Sequence, residues 1–144
     1  MNIILNCIFA FFSTLGFAVL FNIPRRFLVH ASICGMLGWA MYLTANDYSG
    51  NILIANFLGG FVVGISGEIM ARFNKQPATL FVVPGIIPLV PGYGLYYTMS
   101  EVLKKDYSSA TAVGFETALI AIAIASSIII ATTIGRVLKE WLKA

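Results

Sequence analysis

Polar positions in this chain fall in short clusters that separate apolar runs of about 20 residues, the length at which a helix crosses the hydrocarbon core of a bilayer. The first run is Asn2 to Phe21 and ends at Asn22-Ile23-Pro24-Arg25-Arg26. Phe27 to Ala45 follows and stops at Asn46-Asp47-Tyr48-Ser49-Gly50. Asn51 to Ala71 is closed by Arg72-Phe73-Asn74-Lys75, and a fourth apolar stretch runs from Pro77 to Met99. After a polar turn from Glu101 to Ser109, a last run covers Ala110 to Ile134 before the basic tail Arg136 to Lys143. The pattern predicts an all-α integral membrane protein of about five transmembrane helices. Residues 1–144 form a single transmembrane domain, with spans at about 2–21, 27–45, 51–71, 77–99 and 110–134.

The fourth stretch carries Pro84-Gly85-Ile86-Ile87-Pro88-Leu89-Val90-Pro91-Gly92 and is predicted to be broken there. Each proline removes an amide donor and releases the carbonyl four residues earlier, those of Leu80, Pro84 and Ile87. Pro88 stands near the middle of the stretch, hence near the bilayer midplane. Lipid cannot satisfy freed carbonyls, so such a break belongs inside protein or on a polar cavity. Discontinuous helices at that depth are where secondary transporters bind solutes. This makes Pro84, Gly85, Pro88, Pro91 and Gly92 candidate substrate-facing positions, beside the ordinary reading of a packing kink.

Composition agrees: 59% of the 144 residues are hydrophobic and 10% charged, which excludes a soluble globular domain. The formal charge of +3 implies no nucleic-acid partner, because the basic residues stand at span ends. Cys7 and Cys34 lie within apolar runs and read as packing residues. With one histidine they make no metal site, and no cofactor is implied. No basic segment precedes the first run and no small-residue cleavage site follows it, so this run is expected to stay as a helix. Five crossings put the chain ends on opposite sides. With the N-terminus outside and the C-terminus cytoplasmic, Arg25, Arg26, Arg72, Lys75, Arg136, Lys139 and Lys143 face the cytoplasm and only Lys104 and Lys105 lie outside. A re-entrant fourth segment would change the count to six against three. Trp39, Tyr42 and Tyr48 at one end and Trp141 at the other suit the two interfaces.

Three small-residue stripes predict helix contacts. Asn56, Gly60, Gly64, Gly67 and Ala71 share one face of the third span, at offsets of 4, 8, 11 and 15. The fifth span offers Ala112, Glu116, Ala123 and Ser127, and the first Asn2, Asn6, Ala10 and Ser13. Ser13, Thr14, Ser126 and Ser127 fall near the depth of Pro88, which allows a polar chamber at mid-membrane. Ionisable groups within spans are costly and so informative. Glu68 precedes Arg72 by four residues, the favourable order for a local ion pair, with a coupling role as the alternative. Glu116, about 9 Å inside the outer end of its span, has no cation at helical spacing. It reads equally as a coupling group or an interhelical hydrogen-bonding group. His30 follows Arg25-Arg26 by a turn and reads as an interfacial or core residue, with a proton relay as the alternative.

Two segments carry a family resemblance: Gly16-Phe17-Ala18-Val19-Leu20-Phe21-Asn22-Ile23-Pro24-Arg25, and Ile86-Ile87-Pro88-Leu89-Val90-Pro91-Gly92 followed by Tyr93, Tyr96 and Tyr97. With the span pattern, they resemble the threonine/serine exporter family, in particular its small five-span subunit matching the C-terminal half of longer members. The resemblance implies a subunit of a secondary transporter in the cell (plasma or inner) membrane. It would export small polar metabolites, either hydroxylated amino acids or a dicarboxylate such as succinate. It also implies a companion five-span subunit in inverted orientation, with the site between the halves. A homo-oligomeric channel or a structural membrane subunit is the alternative. A remote one is an intramembrane serine protease, from Gly64-Ile65-Ser66-Gly67, but His30 precedes Ser66 and no base is placed to activate it.

Overall fold

The computed structural model describes residues 2–141 and is helical among them: α1 (Ile3–Leu20), α2 (Arg25–Ser49), α3 (Ile52–Asn74), α4 (Thr79–Gly85), a 3-10 turn (Ile87–Leu89), α5 (Gly92–Leu103) and α6 (Tyr107–Trp141). Four helices, α1, α2, α3 and α6, are long and apolar enough to cross a membrane, and the bent pair Thr79–Leu89 and Gly92–Leu103 makes a fifth candidate. Side chains of Arg136, Lys139 and Trp141, and all of Lys143, lie outside the described residues.

Local chemistry stops each helix. At the end of α1 the Ile23 amide donates to the Ala18 carbonyl and the Asn22 amide to Val19, with Asn22 left-handed at φ 55° and Pro24 next. That is a Schellman stop, which satisfies carbonyls the helix leaves open. Lys75 repeats it after α3, with Pro77 beyond, and Lys105 repeats it after α5. Between α2 and α3, Gly50 turns left-handed and Asn51 caps α3, its Oδ1 accepting from the Leu53 and Ile54 amides. Polar side chains alone end nothing. Hence α2 runs on through Asn46-Asp47-Tyr48-Ser49, where a turn was expected, and α5 runs through Glu101 to Leu103.

Close contacts fix how the helices run. An added Cβ on Gly60 would meet Ser127 Oγ, one on Gly64 would meet Ala131 Cβ, and one on Gly135 would meet Glu68 Cγ. The offset is a constant 67 positions, so α3 and α6 are parallel. Gly67 meets Val82 and Gly85 meets Val63, so α4 is antiparallel to α3. The segment between α3 and α6 therefore travels the length of the bundle. It leaves the Lys75 end through α4 and reaches the Asn51 end before α6 begins. Two apolar clusters fill the interior. Phe27, Cys34, Ala71 and Phe81 form one near the Lys75 end, with Phe27 and Phe81 edge to face at 5.9 Å. Val63, Val82, Leu89, Ile120 and Ile124 form the other.

Several expected faces shift. The buried positions of α1 are Ala10, Thr14 and Ala18, whereas Asn2 and Ser13 are exposed. On α6 the buried stripe is Thr117, Ile120, Ile124, Ser127 and Ala131; Ala112 and Glu116 are exposed, so only Ser127 of the predicted face is buried on it. Counting small residues found small faces, but the packed face is set by the partner's shape. Asn56, Gly60, Gly64, Gly67 and Ala71 are all buried, though they serve two partners: Gly60 and Gly64 face α6, while Gly67 faces α4. Trp39 stacks on Tyr42 at 4.8 Å and packs on the second cluster, well inside α2.

Candidate functional site

Pro91 adopts φ −75° and ψ 61°, and the Gly92 amide donates to the Val90 carbonyl at 2.7 Å. These are the angles and the bond of an inverse γ-turn. The turn deflects α5 by 56° from the preceding helical segment. Proline prefers this φ, and the missing Pro91 amide prevents the regular bond to Ile87. The Ile87 carbonyl, expected from sequence to be free, is not: it accepts from Val90 at 3.2 Å, and the Ile86 carbonyl accepts from Leu89 at 2.9 Å. The 3-10 turn thus re-satisfies part of what the prolines release.

α5 restarts at Gly92 with no side-chain cap. Leu95 donates to the Pro91 carbonyl at 3.1 Å, while the Tyr93 and Gly94 amides have no hydrogen-bond partner among the described residues. A helix start of this kind presents open donors and partial positive charge. It opens on a cavity of about 550 Å³ lined by Pro91, Tyr93, Gly94 and Tyr97 on one side and by Val113, Glu116, Thr117 and Ile120 on the other, with Ile52 at its floor. Tyr93 and Tyr97 stack at 5.8 Å along one wall. Gly94 is required by close approach, because a Cβ there would strike Thr117 Oγ1. Thr117 is buried and its hydroxyl donates to the Val113 carbonyl at 2.7 Å. The Glu116 carboxylate is exposed on the opposite wall, with no ion pair or hydrogen bond among the described residues.

By the α3–α6 register, Glu116 lies just beyond the start of α3, at the Asn51 end of the bundle. The break is tilted in depth. Gly85 meets Val63 at the middle of α3, Leu89 meets Gly59, and Pro91 stands nearer the Asn51 end.

The other candidates scatter. Pro84 and Gly85 are buried, Gly85 against Val63 and Cys34. Pro88 lines a small cavity of about 190 Å³ with Asn6, Ser13 and Trp39. Ser127 is fully buried beneath Gly60, and Ser126 faces away from the break beside Leu53 and Phe57. Of the four hydroxyls expected to gather at the depth of Pro88, only Ser13 shares a cavity with it among the described residues. Thr14, Ser126 and Ser127 each donate to a carbonyl of their own helix, and α1 and α6 are not neighbours. Gly92 has nothing near its Cβ position, so Gly94 is the glycine of close approach.

The Glu68–Arg72 pair is absent as well. Arg72 Nη2 donates to the Gly135 carbonyl on α6, and Glu68 packs against Gly135. Helical spacing permits the pair, but the Gly135 carbonyl of α6 offers Arg72 another acceptor. The only ion pair among the described residues is Lys104 to Glu101 at 2.8 Å. Glu101, read from sequence as a turn residue, is 5% exposed, and its hydrogen bond and charge raise the Lys104 pKa. His30 is half-buried on α2, and its Nδ1 has no partner. Ser66 donates to the Val63 carbonyl at 3.1 Å, and no Ser66–His30 hydrogen bond exists among the described residues. Sequence reasoning missed Gly94, Thr117 and Glu101. The reciprocal Gly/Thr spacing of Gly94-Thr98 and Gly114-Thr117 was the available signal for the first two.

A family model described as Threonine/Serine exporter, ThrE, matches residues 6–134, a range that contains every residue lining the cavity. No solved structure matches the chain.

Proposed function

The chain belongs to the threonine/serine exporter family of multi-pass cell-membrane transporters, and from that premise we propose that it is one half of an exporter for small hydroxylated amino acids, with the cavity between α5 and α6 as its substrate site. The observation that carries this reading is the facing of the open α5 amides and the Glu116 carboxylate across one cavity. The amide end suits a substrate carboxylate, and Glu116 suits its ammonium group. Tyr93, Tyr97 and Thr117 supply the walls. A dicarboxylate meets like charge at Glu116 and is disfavoured.

The parallel course of α3 and α6, taken with the distribution of basic residues, supports five crossings with the Asn51 end outside. The companion half is supported by what this chain leaves open. The cavity is open on one side. On the other flank of α5 a groove of about 690 Å³ has Gly114, Ala118, Ala121 and Ala125 along its floor, a surface that suits close helix approach.

The test is counterflow in proteoliposomes containing this chain with a five-span companion encoded beside it. Labelled threonine and serine are expected to exchange and succinate not, and Glu116→Gln is expected to slow exchange by about tenfold or more. Exchange of succinate alone, or a Glu116→Gln protein as fast as the parent, overturns the assignment of the site.

A further inference from the structure

The helices differ in how many partners hold them. α6 is fastened to α3 through Gly60 and Gly64, and by Arg72 to Gly135. α4 is fastened to α2 and α3 through Gly85 and Gly67. α2 meets α1 where Gly35 faces Thr14, and it meets α3 where Gly38 faces Val63 and Gly59. α5 differs from the rest: among the described residues its extensive packing is confined to α6, whereas α1, which also packs mainly on one helix, touches α4 and the 3-10 turn as well. Eleven of its 12 residues are exposed or only partly buried, and Glu101 alone is buried. Two contacts hold it, Gly94 against Thr117 and Thr98 against Gly114. Both ends carry backbone that departs from helix, the γ-turn at Pro91 and the left-handed Lys105 at φ 62°. These are places where a few residues absorb a rotation.

We propose that α5 is the gate of the cavity, a rigid 12-residue helix that swings on α6 about Pro91 and Lys105 and so opens or closes the space between Tyr93 and Ile52. The proposal rests on the assignment of that cavity as the substrate site. The Gly/Thr contacts are suited to such motion. Each threonine hydroxyl is already satisfied within its own helix, Thr98 by the Gly94 carbonyl and Thr117 by Val113, so the helices can part without breaking a hydrogen bond between them. A swing also moves the open Tyr93 and Gly94 amides relative to Glu116, which stays fixed because α6 is fastened to α3. The groups that hold the two ends of a bound zwitterion are thereby brought together or drawn apart by one helix.

The test locks the helix. An ideal Cβ at Gly114 lies 3.2 Å from Thr98 Cγ2, within reach of a disulfide once both positions are cysteine. Thr98→Cys/Gly114→Cys is made with Cys7 and Cys34 replaced by Ala and reconstituted with the companion subunit. Threonine counterflow is expected to fall below about a tenth on oxidation and to return on reduction, with threonine binding retained in the oxidised form. Equal flux in the oxidised and reduced forms overturns the gate and leaves the site assignment standing. Should the double variant fail to fold, spin labels at Tyr96→Cys and Phe115→Cys, both exposed and outside the cavity lining, report the α5–α6 separation. A distance distribution that changes with threonine supports the gate, and one unchanged by saturating threonine overturns it. An unmodified pair that moves no amino acid refutes the substrate assignment, and the label distances still decide whether α5 moves.

Discussion

The contact between α3 and α6 at Gly64 admits a quantitative test. A Cβ added at Gly64 stands 2.5 Å from Ala131 Cβ, and its next neighbour, Ile128 Cα, is 3.6 Å away. One methyl group is thus the whole obstacle, about 1 Å inside ordinary carbon contact. Gly64→Ala gains up to about 1 kcal/mol of helix propensity and loses about 1–3 kcal/mol to overpacking, for a net loss of about 1 kcal/mol. Ala131→Gly alone gives up the same propensity and the packing of a fully buried methyl, about 2 kcal/mol together. Combining them moves the methyl from one helix to the other, so the double variant should fall within about 1 kcal/mol of the parent. The coupling energy is then about 3 kcal/mol, and propensity cancels from it because propensity belongs to single sites. Reversible SDS titration in mixed micelles, followed by far-UV circular dichroism, measures all four corners of the cycle. Additivity within about 0.5 kcal/mol would show that the two positions do not touch and would refute the parallel register.

Gly94→Val should destabilise the α5–α6 pair by about 1–3 kcal/mol, while Gly92→Val, with open space at its Cβ position, should stay within about 0.5 kcal/mol; thermal melts in detergent rank the two. Arg72→Leu removes the donor to the Gly135 carbonyl and should cost about 1 kcal/mol by the same SDS titration. Asp106 caps α6, its carboxylate accepting from the Ser109 amide and hydroxyl, which holds its pKa below the ordinary value. Its contribution is present above the ordinary carboxylate pKa and is lost as pH falls through the depressed one, so the protection of the Ser109 and Ala110 amides relative to an unstructured peptide should fall in acid, and Asp106→Ala should abolish that dependence. Pro91→Ala restores an amide able to reach the Ile87 carbonyl and should straighten α5; threonine counterflow falling with insertion unchanged is the expected result.

The spans were legible because bilayer thickness sets the length of an apolar run, and the α3 glycines were legible because small residues at helical spacing have few other uses. The faces of α1 and α6 were not. Ser13 and Thr14 are adjacent and equally small, and which one is buried depends on Gly35 across the interface. Glu68 and Arg72 show the same limit. Spacing along one helix predicts their pairing, and another helix supplies an acceptor at Gly135. The break was legible as a break, from three prolines in eight residues, but not its shape. The 3-10 bonds that re-satisfy Ile86 and Ile87 depend on how α4 is seated against α3. Glu116 was singled out for its lack of a cation, and its company with Pro91 and the α5 amides is a tertiary fact.

The prolines and the cavity are connected by geometry rather than by free carbonyls. α4 is seated against α3 by Gly67 and Gly85, and an unbroken helix from Thr79 would continue along α3 toward Asn51. Its side chains would then fill the space beside Ile52. The 3-10 turn and the γ-turn at Pro91 instead turn α5 through 56° and set it down on α6, where Gly94 and Gly114 accept it. The deflection leaves a volume between Ile52 and Tyr93 that α3 and α6 cannot close, because they are packed against each other further along. It also turns a continuing helix into a starting one, and so leaves the Tyr93 and Gly94 amides open at the edge of that volume. A kink that only bent the helix would not require a glycine two residues later against a buried threonine. The Gly94–Thr117 contact fixes the new helix start one residue from Glu116, and that position makes the broken segment a candidate binding element.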